Sequence, residues 1–150
     1  MRNIPLAALL SLFVFAGTSL FAQTGTVLKA SNNGKLNYTY NAIATDQYSV
    51  EIVFKNDQFI YKQEVDTLKL HSAASCLLFK EDLQNALSAL QNKNSSFKIE
   101  RANYTLAFND AGVTGFYIVL SNKAGTISTA NNKFQIKVLL EWLNSFEFGK

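Results

Sequence analysis

The chain has 150 residues, 17% of them charged and 48% hydrophobic, with a formal net charge of +3, one cysteine and one histidine. A single cysteine excludes an intramolecular disulfide framework, and one cysteine with one histidine excludes the four-ligand sites of structural zinc. Lysines scattered singly at so low a net charge provide no basic face for nucleic acid.

The chain opens with Met1-Arg2-Asn3, followed by an apolar run from Ile4 to Ala16 and then Thr18-Ser19-Leu20-Phe21-Ala22 before Gln23. A positive start, a short apolar stretch and a small residue at a cleavage point read as a signal peptide spanning residues 1–22. The segment resembles the signal peptides of bacterial envelope proteins that end in Phe-Ala-Gln. Its apolar run falls short of the roughly 20 residues that a spanning helix needs, so cleavage is expected rather than retention as a membrane anchor. Residues 23–150 then form one domain. They lose Arg2 and carry 13 cationic against 11 acidic side chains, a charge of +2 (13 − 11). In an oxidising compartment an exposed lone thiol invites oxidation, so Cys76, followed by Leu77, Leu78 and Phe79, is expected inside the fold.

Pro5 is the only proline, so glycine, asparagine and aspartate must punctuate the remaining chain. A short strand is expected near Thr26–Ala30, and Asn33-Gly34 is a hairpin turn signal. Leu36, Tyr38, Tyr40 and Ala42 alternate with polar residues, the period of a half-buried strand. Tyr48, Val50, Ile52 and Phe54 alternate in the same way. Asn56-Asp57 reads as a tight turn, with Phe59, Tyr61 and Val65 on the returning strand. Leu68 and Leu70 mark a further strand that has Thr67, Lys69 and His71 on its other face.

The period then changes. Leu83, Ala86, Leu87 and Leu90 predict an amphipathic helix over 80–92, with Glu81 and Asp82 in its first turn, where the macrodipole favours them. Phe97 and Ile99 are out of phase with Ala102, Tyr104, Leu106 and Phe108, which calls for a bulge or bend near Glu100–Arg101. Val113 to Leu120 is nearly all apolar and predicts a central strand buried on both faces. A short strand over 126–128 precedes a second helix over 131–146, on the stripe Ile136, Leu139, Leu140 and Leu143, widened by Val138, Trp142 and Phe146.

Strands joined by tight turns pair antiparallel, and each helix must bury its stripe on a sheet or on the other helix. The expectation is an α+β domain: a single antiparallel sheet of about seven or eight strands with both helices on one face. Asn56-Asp57 and Asn109-Asp110 lie 53 residues apart, as do the two helical stripes, which hints at a weak ββα-type internal duplication. At that offset, however, the alternation of the strands is out of phase by one residue.

Few residues carry reactive chemistry. His71 and Cys76 as base and nucleophile, or His71 with Ser72 or Ser75 and Asp66, would make a small hydrolase. The apolar surroundings of Cys76 argue against an activated thiol. Glu64 with Asp66, and Glu81 with Asp82, do not mark a pair set across a cleft. No cofactor, metal or catalytic residue is expected. The tyrosines stand out: Tyr38, Tyr40, Tyr48 and Tyr61 combine an apolar ring with a polar tip, which suits an interface. The expected function is a small exported, non-catalytic domain that binds an envelope protein or peptide through a sheet face or edge. The alternative is a carrier holding an apolar small ligand between sheet and helices.

Overall fold

The computed structural model describes residues 26–44, 47–57 and 63–146. The expected signal segment, and Phe59 and Tyr61 of the returning strand, lie outside the described residues. The described chain runs β1 (Thr26–Asn32), β2 (Leu36–Ala44), β3 (Gln47–Lys55), β4 (Val65–Leu70), α1 (Ala73–Asn92), β5 (Lys98–Glu100), β6 (Tyr104–Asp110), β7 (Phe116–Asn122), β8 (Ser128–Asn131) and α2 (Lys133–Asn144).

The fold is α+β with antiparallel pairing throughout, but the strands divide into two four-stranded sheets, β1-β2-β3-β4 and β5-β6-β7-β8. This corrects the single sheet of seven or eight strands. Each sheet is a meander whose neighbours in sequence are neighbours in space. After β4 the chain leaves for a 20-residue helix, so β5 starts a new sheet. Both sheets and both helices nevertheless share one hydrophobic core, which includes Leu36, Ile52, Phe79, Leu106, Ile118 and Leu139. Helix α1 packs on α2 and on β6 and β7, while α2 packs on β7 and β8.

The order ββββα thus occurs twice. Tyr40, Val50 and Leu70 stand in register across β2, β3 and β4; Phe108, Ile118 and Asn131 do so across β6, β7 and β8. The first two correspondences span 68 residues (108 − 40 and 118 − 50), and the third spans 61 (131 − 70). The helix caps Ser72 and Asn132 are 60 apart (132 − 72). The difference falls mostly between β3 and β4, where the first unit has the longer connection. An offset of 53 instead lays β3 on β6, which hold different places in their sheets, and this is why the alternation is out of phase there.

Helix α1 begins at Ala73, seven residues before the expected 80. Ser72 caps it: its hydroxyl accepts the Ser75 N–H at 3.1 Å, and the Ser75 hydroxyl accepts the Ser72 N–H at 3.1 Å, a reciprocal capping box. Cys76, Phe79, Leu83, Ala86 and Leu90 then form the buried stripe. Leu77 and Leu78 point outward, so half of the apolar run 76–79 is exposed. Asp82, expected in the first turn, sits mid-helix on the buried face. Helix α2 is capped in the same manner by Asn132 and Gln135 and spans Lys133–Asn144 within the expected 131–146.

The bend near Glu100–Arg101 is a full reversal: Arg101 N–H donates to the Tyr104 carbonyl at 2.9 Å, and β5 and β6 pair across it. The change of phase is therefore a hairpin and not a bulge within one strand. β7 is paired on both sides, yet only Ile118 and Leu120 are fully buried in it. Val113, expected inside this strand, is fully exposed on a 3₁₀ turn (Gly112–Thr114).

The two sheets meet at a polar seam. Asp57 N–H donates to the Ser128 carbonyl at 2.8 Å, and Asp57 Oδ2 accepts from the Thr129 hydroxyl at 3.0 Å and from Ala130 N–H at 3.1 Å. Buried Asn56 donates to the Thr126 carbonyl at 3.1 Å. Asn33, at the first hairpin, accepts from the N–H groups of Lys35 and Leu36 and donates to the Gln135 carbonyl. Buried amides satisfied in this way cost little, whereas losing one partner exposes the full desolvation penalty.

Candidate functional site

Alternation along β2 turns Leu36, Tyr38 and Tyr40 to one face of the first sheet, and helix α2 lies over Tyr38. Trp142 meets the Tyr38 ring edge-on at 4.7 Å. Residue spacing of i, i+4 places Phe146 beside Trp142, with ring centroids 4.6 Å apart at 83°. Phe146 in turn stacks on Tyr40 at 4.4 Å, and Tyr40 stacks on Tyr48 at 5.3 Å and 15°. The β2–β3 register sets this last contact, because Tyr48 faces Ala42, two residues from Tyr40 along the same face. Lys29 of β1 completes the array. Its ammonium lies 5.1 Å from the Phe146 centroid and 2.8 Å from the Ser145 hydroxyl. Each aromatic pair contributes on the order of 0.5–1.5 kcal/mol beyond its buried area.

The four candidate tyrosines therefore have different positions. Tyr38 is 0% exposed and belongs to the core; Tyr40 is half-buried; Tyr48 is 42% exposed. Tyr61 lies outside the described residues. Burial raises the Tyr38 phenol above its ordinary value, offset in part by Ser31 across the strand pair, and burial together with Tyr48 and Cys76 raises Tyr40. The array grades from core to surface. Sequence pattern does not mark Lys29, Trp142 and Phe146 as site residues, although positions 142 and 146 belong to the helical stripe.

Beside this array runs β1. All seven of its residues are exposed, and Val27 and Leu28 retain 56% and 53% of their surface. β1 pairs with β2 on one side, and its outer edge has no strand partner among the described residues. A register shift between Val27 and Lys29 marks a bulge. An edge strand of this length presents a row of free N–H and C=O groups to any extended chain.

The residues expected for hydrolysis do not converge. Cys76 is buried, its thiol directed at the Leu70 carbonyl at 3.9 Å. Burial pushes that thiol up to about 11, against smaller opposing effects of Ser75 and the Val50 backbone. His71 is exposed and makes no hydrogen bond among the described residues. The hydroxyls of Ser72 and Ser75 are committed to the helix cap and to each other. Among the described residues no three His, Cys, Asp or Glu side chains gather to hold a metal ion, and no helix is long and apolar enough to cross a membrane.

No family model, no curated protein and no solved structure matches the chain.

Proposed function

We propose that this chain is a small exported, non-catalytic domain that binds an extended segment of an envelope protein or peptide by adding it as a strand to the outer edge of β1. The exposure of all of β1, with Val27 and Leu28 open to solvent beside the Tyr40–Tyr48–Phe146 array, carries the reading. Main-chain hydrogen bonds along a free edge supply affinity in this mode of recognition, and flanking side chains supply preference. The signal-like residues 1–22 support export to the periplasm or beyond.

The test is a panel of peptides selected from a random library against the folded protein, mapped by amide chemical shifts. The largest shifts are expected in residues 26–32, and Leu28→Lys should weaken binding by roughly tenfold or more through an added edge charge. Val113→Lys, at another exposed apolar position, should leave binding unchanged. Shifts that cluster away from β1, or equal effects of the two substitutions, would overturn the reading.

A further inference from the structure

A second feature lies away from the β1 edge. Strand β4 of the first sheet faces the β5–β6 and β7–β8 turns of the second, and the gap between them is a cavity of about 510 Å³. That is within the range of roughly 300–1,000 Å³ typical of small-molecule sites. Buried Phe54 and Leu68 border it, and its polar lining includes Asp66, Lys69, His71, Asn103 and Lys123.

The polar groups differ in what they have left to offer. Asp66, the carboxylate of the cavity, accepts one bond on each oxygen: the Thr67 N–H on Oδ1 at 2.6 Å and the Asn122 amide on Oδ2 at 2.9 Å. Lys69 pairs with Glu51 at 3.3 Å on the exposed sheet face. Among the described residues Lys123 donates to the Arg101 carbonyl alone, at a long 3.3 Å, with Glu100 as its acidic neighbour. His71 and the Asn103 amide make no hydrogen bond among the described residues. Lys123, His71 and Asn103 thus keep donor capacity to spare. Donors with spare capacity, the Lys123 ammonium among them, favour an anionic acceptor.

We propose that this cavity binds a small organic anion, with its carboxylate or phosphate group held by Lys123, His71 and Asn103 and its body between β4 and the β5–β6 and β7–β8 turns. The first sheet supplies one wall and the second sheet the other, so the site exists only where the two ββββα units meet. It is independent of peptide binding at β1.

His71 is the only histidine in the chain, so its imidazole resonances report on this cavity alone. The intact folded protein is titrated at fixed pH and ionic strength with inorganic phosphate and, separately, with benzoate. Saturable shifts of the imidazole and of the Asn103 amide are expected, with a dissociation constant of about 1 mM or lower. Lys123→Glu or Asn103→Asp should weaken binding by at least tenfold, and Lys137→Glu, at an exposed position of α2, should not. Saturation with one anion alone also supports the proposal and identifies the head group. Linear drift with both anions up to about 100 mM, or saturable binding that neither cavity substitution weakens, would overturn it.

Discussion

The guanidinium of Arg101 closes on the carboxylate of Asp82 through two bonds, Nε to Oδ2 at 2.8 Å and Nη2 to Oδ1 at 2.6 Å. The Asp82 side chain is 1% exposed, in the middle of the buried face of α1. The Tyr104 hydroxyl donates a third bond to it at 2.6 Å, and the Tyr104 ring packs edge-on against Phe79. A charge placed in a core is tolerated only when paired and hydrogen-bonded. Here the second sheet supplies both partners from one hairpin, and that fixes the β5–β6 turn to the helix.

Removing one of these partners should therefore be costly. Tyr104→Phe deletes a single bond to a buried carboxylate and should lower stability by roughly 1.5–3 kcal/mol. Asp82→Ala strands both Arg101 and Tyr104 and should cost more than Tyr104→Phe. Urea unfolding with an unchanged slope checks both values, and the double variant should show a coupling well above experimental error.

Stability should fall at alkaline pH, and the sign follows from where protons are held. The Cys76 thiol titrates at about 11 in the folded chain against an ordinary value of 9.0. Burial also raises Tyr104, reinforced by its bond to Asp82, and burial raises Tyr38. In each case the folded state keeps its proton after the unfolded state has lost it. The contribution of Cys76 is fully present below pH 9 and is lost as pH rises toward 11, on the order of 2–3 kcal/mol. Urea midpoints between pH 8 and 11 should decline, and Cys76→Ala should flatten that part of the curve. The same shift makes the folded thiol react with iodoacetamide about 100-fold more slowly than the unfolded one. His71→Ala should leave that rate unchanged, since the exposed imidazole plays no part in activating the sulfur.

The first hairpin offers a separation of backbone strain from side-chain bonding. Gly34 has φ +86°, and a Cβ there would meet nothing closer than Gln135 Nε2 at 4.0 Å. Gly34→Ala should thus cost about 1–2 kcal/mol from conformation alone. Asn33→Ala leaves the Leu36 N–H, 2.8 Å from its present acceptor, without a partner and also releases Gln135 of α2. It should cost about 2 kcal/mol or more. Thermal unfolding of the two variants should order them accordingly.

Local pattern and turn chemistry determined much of this protein in the sequence itself. The alternation of Leu36, Tyr38 and Tyr40, the Asn33-Gly34 turn, the stripe of α2 and the burial of Cys76 follow from residues within a few positions of one another, and all are present in the fold. The early start of α1 is local as well, set by the Ser72–Ser75 capping box, whereas two things depended on tertiary structure. The strands split into two sheets because α1 removes the chain from the first before β5 begins. Asp82 is buried because Arg101, 19 residues downstream (101 − 82), folds back onto it. The spacing 79, 82, 83, 86 already put Asp82 on the apolar stripe. What it lacked was a visible partner, and the cavity between β4 and the turns of the second sheet was hidden for the same reason. Periodicity reports which way a side chain faces along one element; it carries no information about which distant group will meet it there.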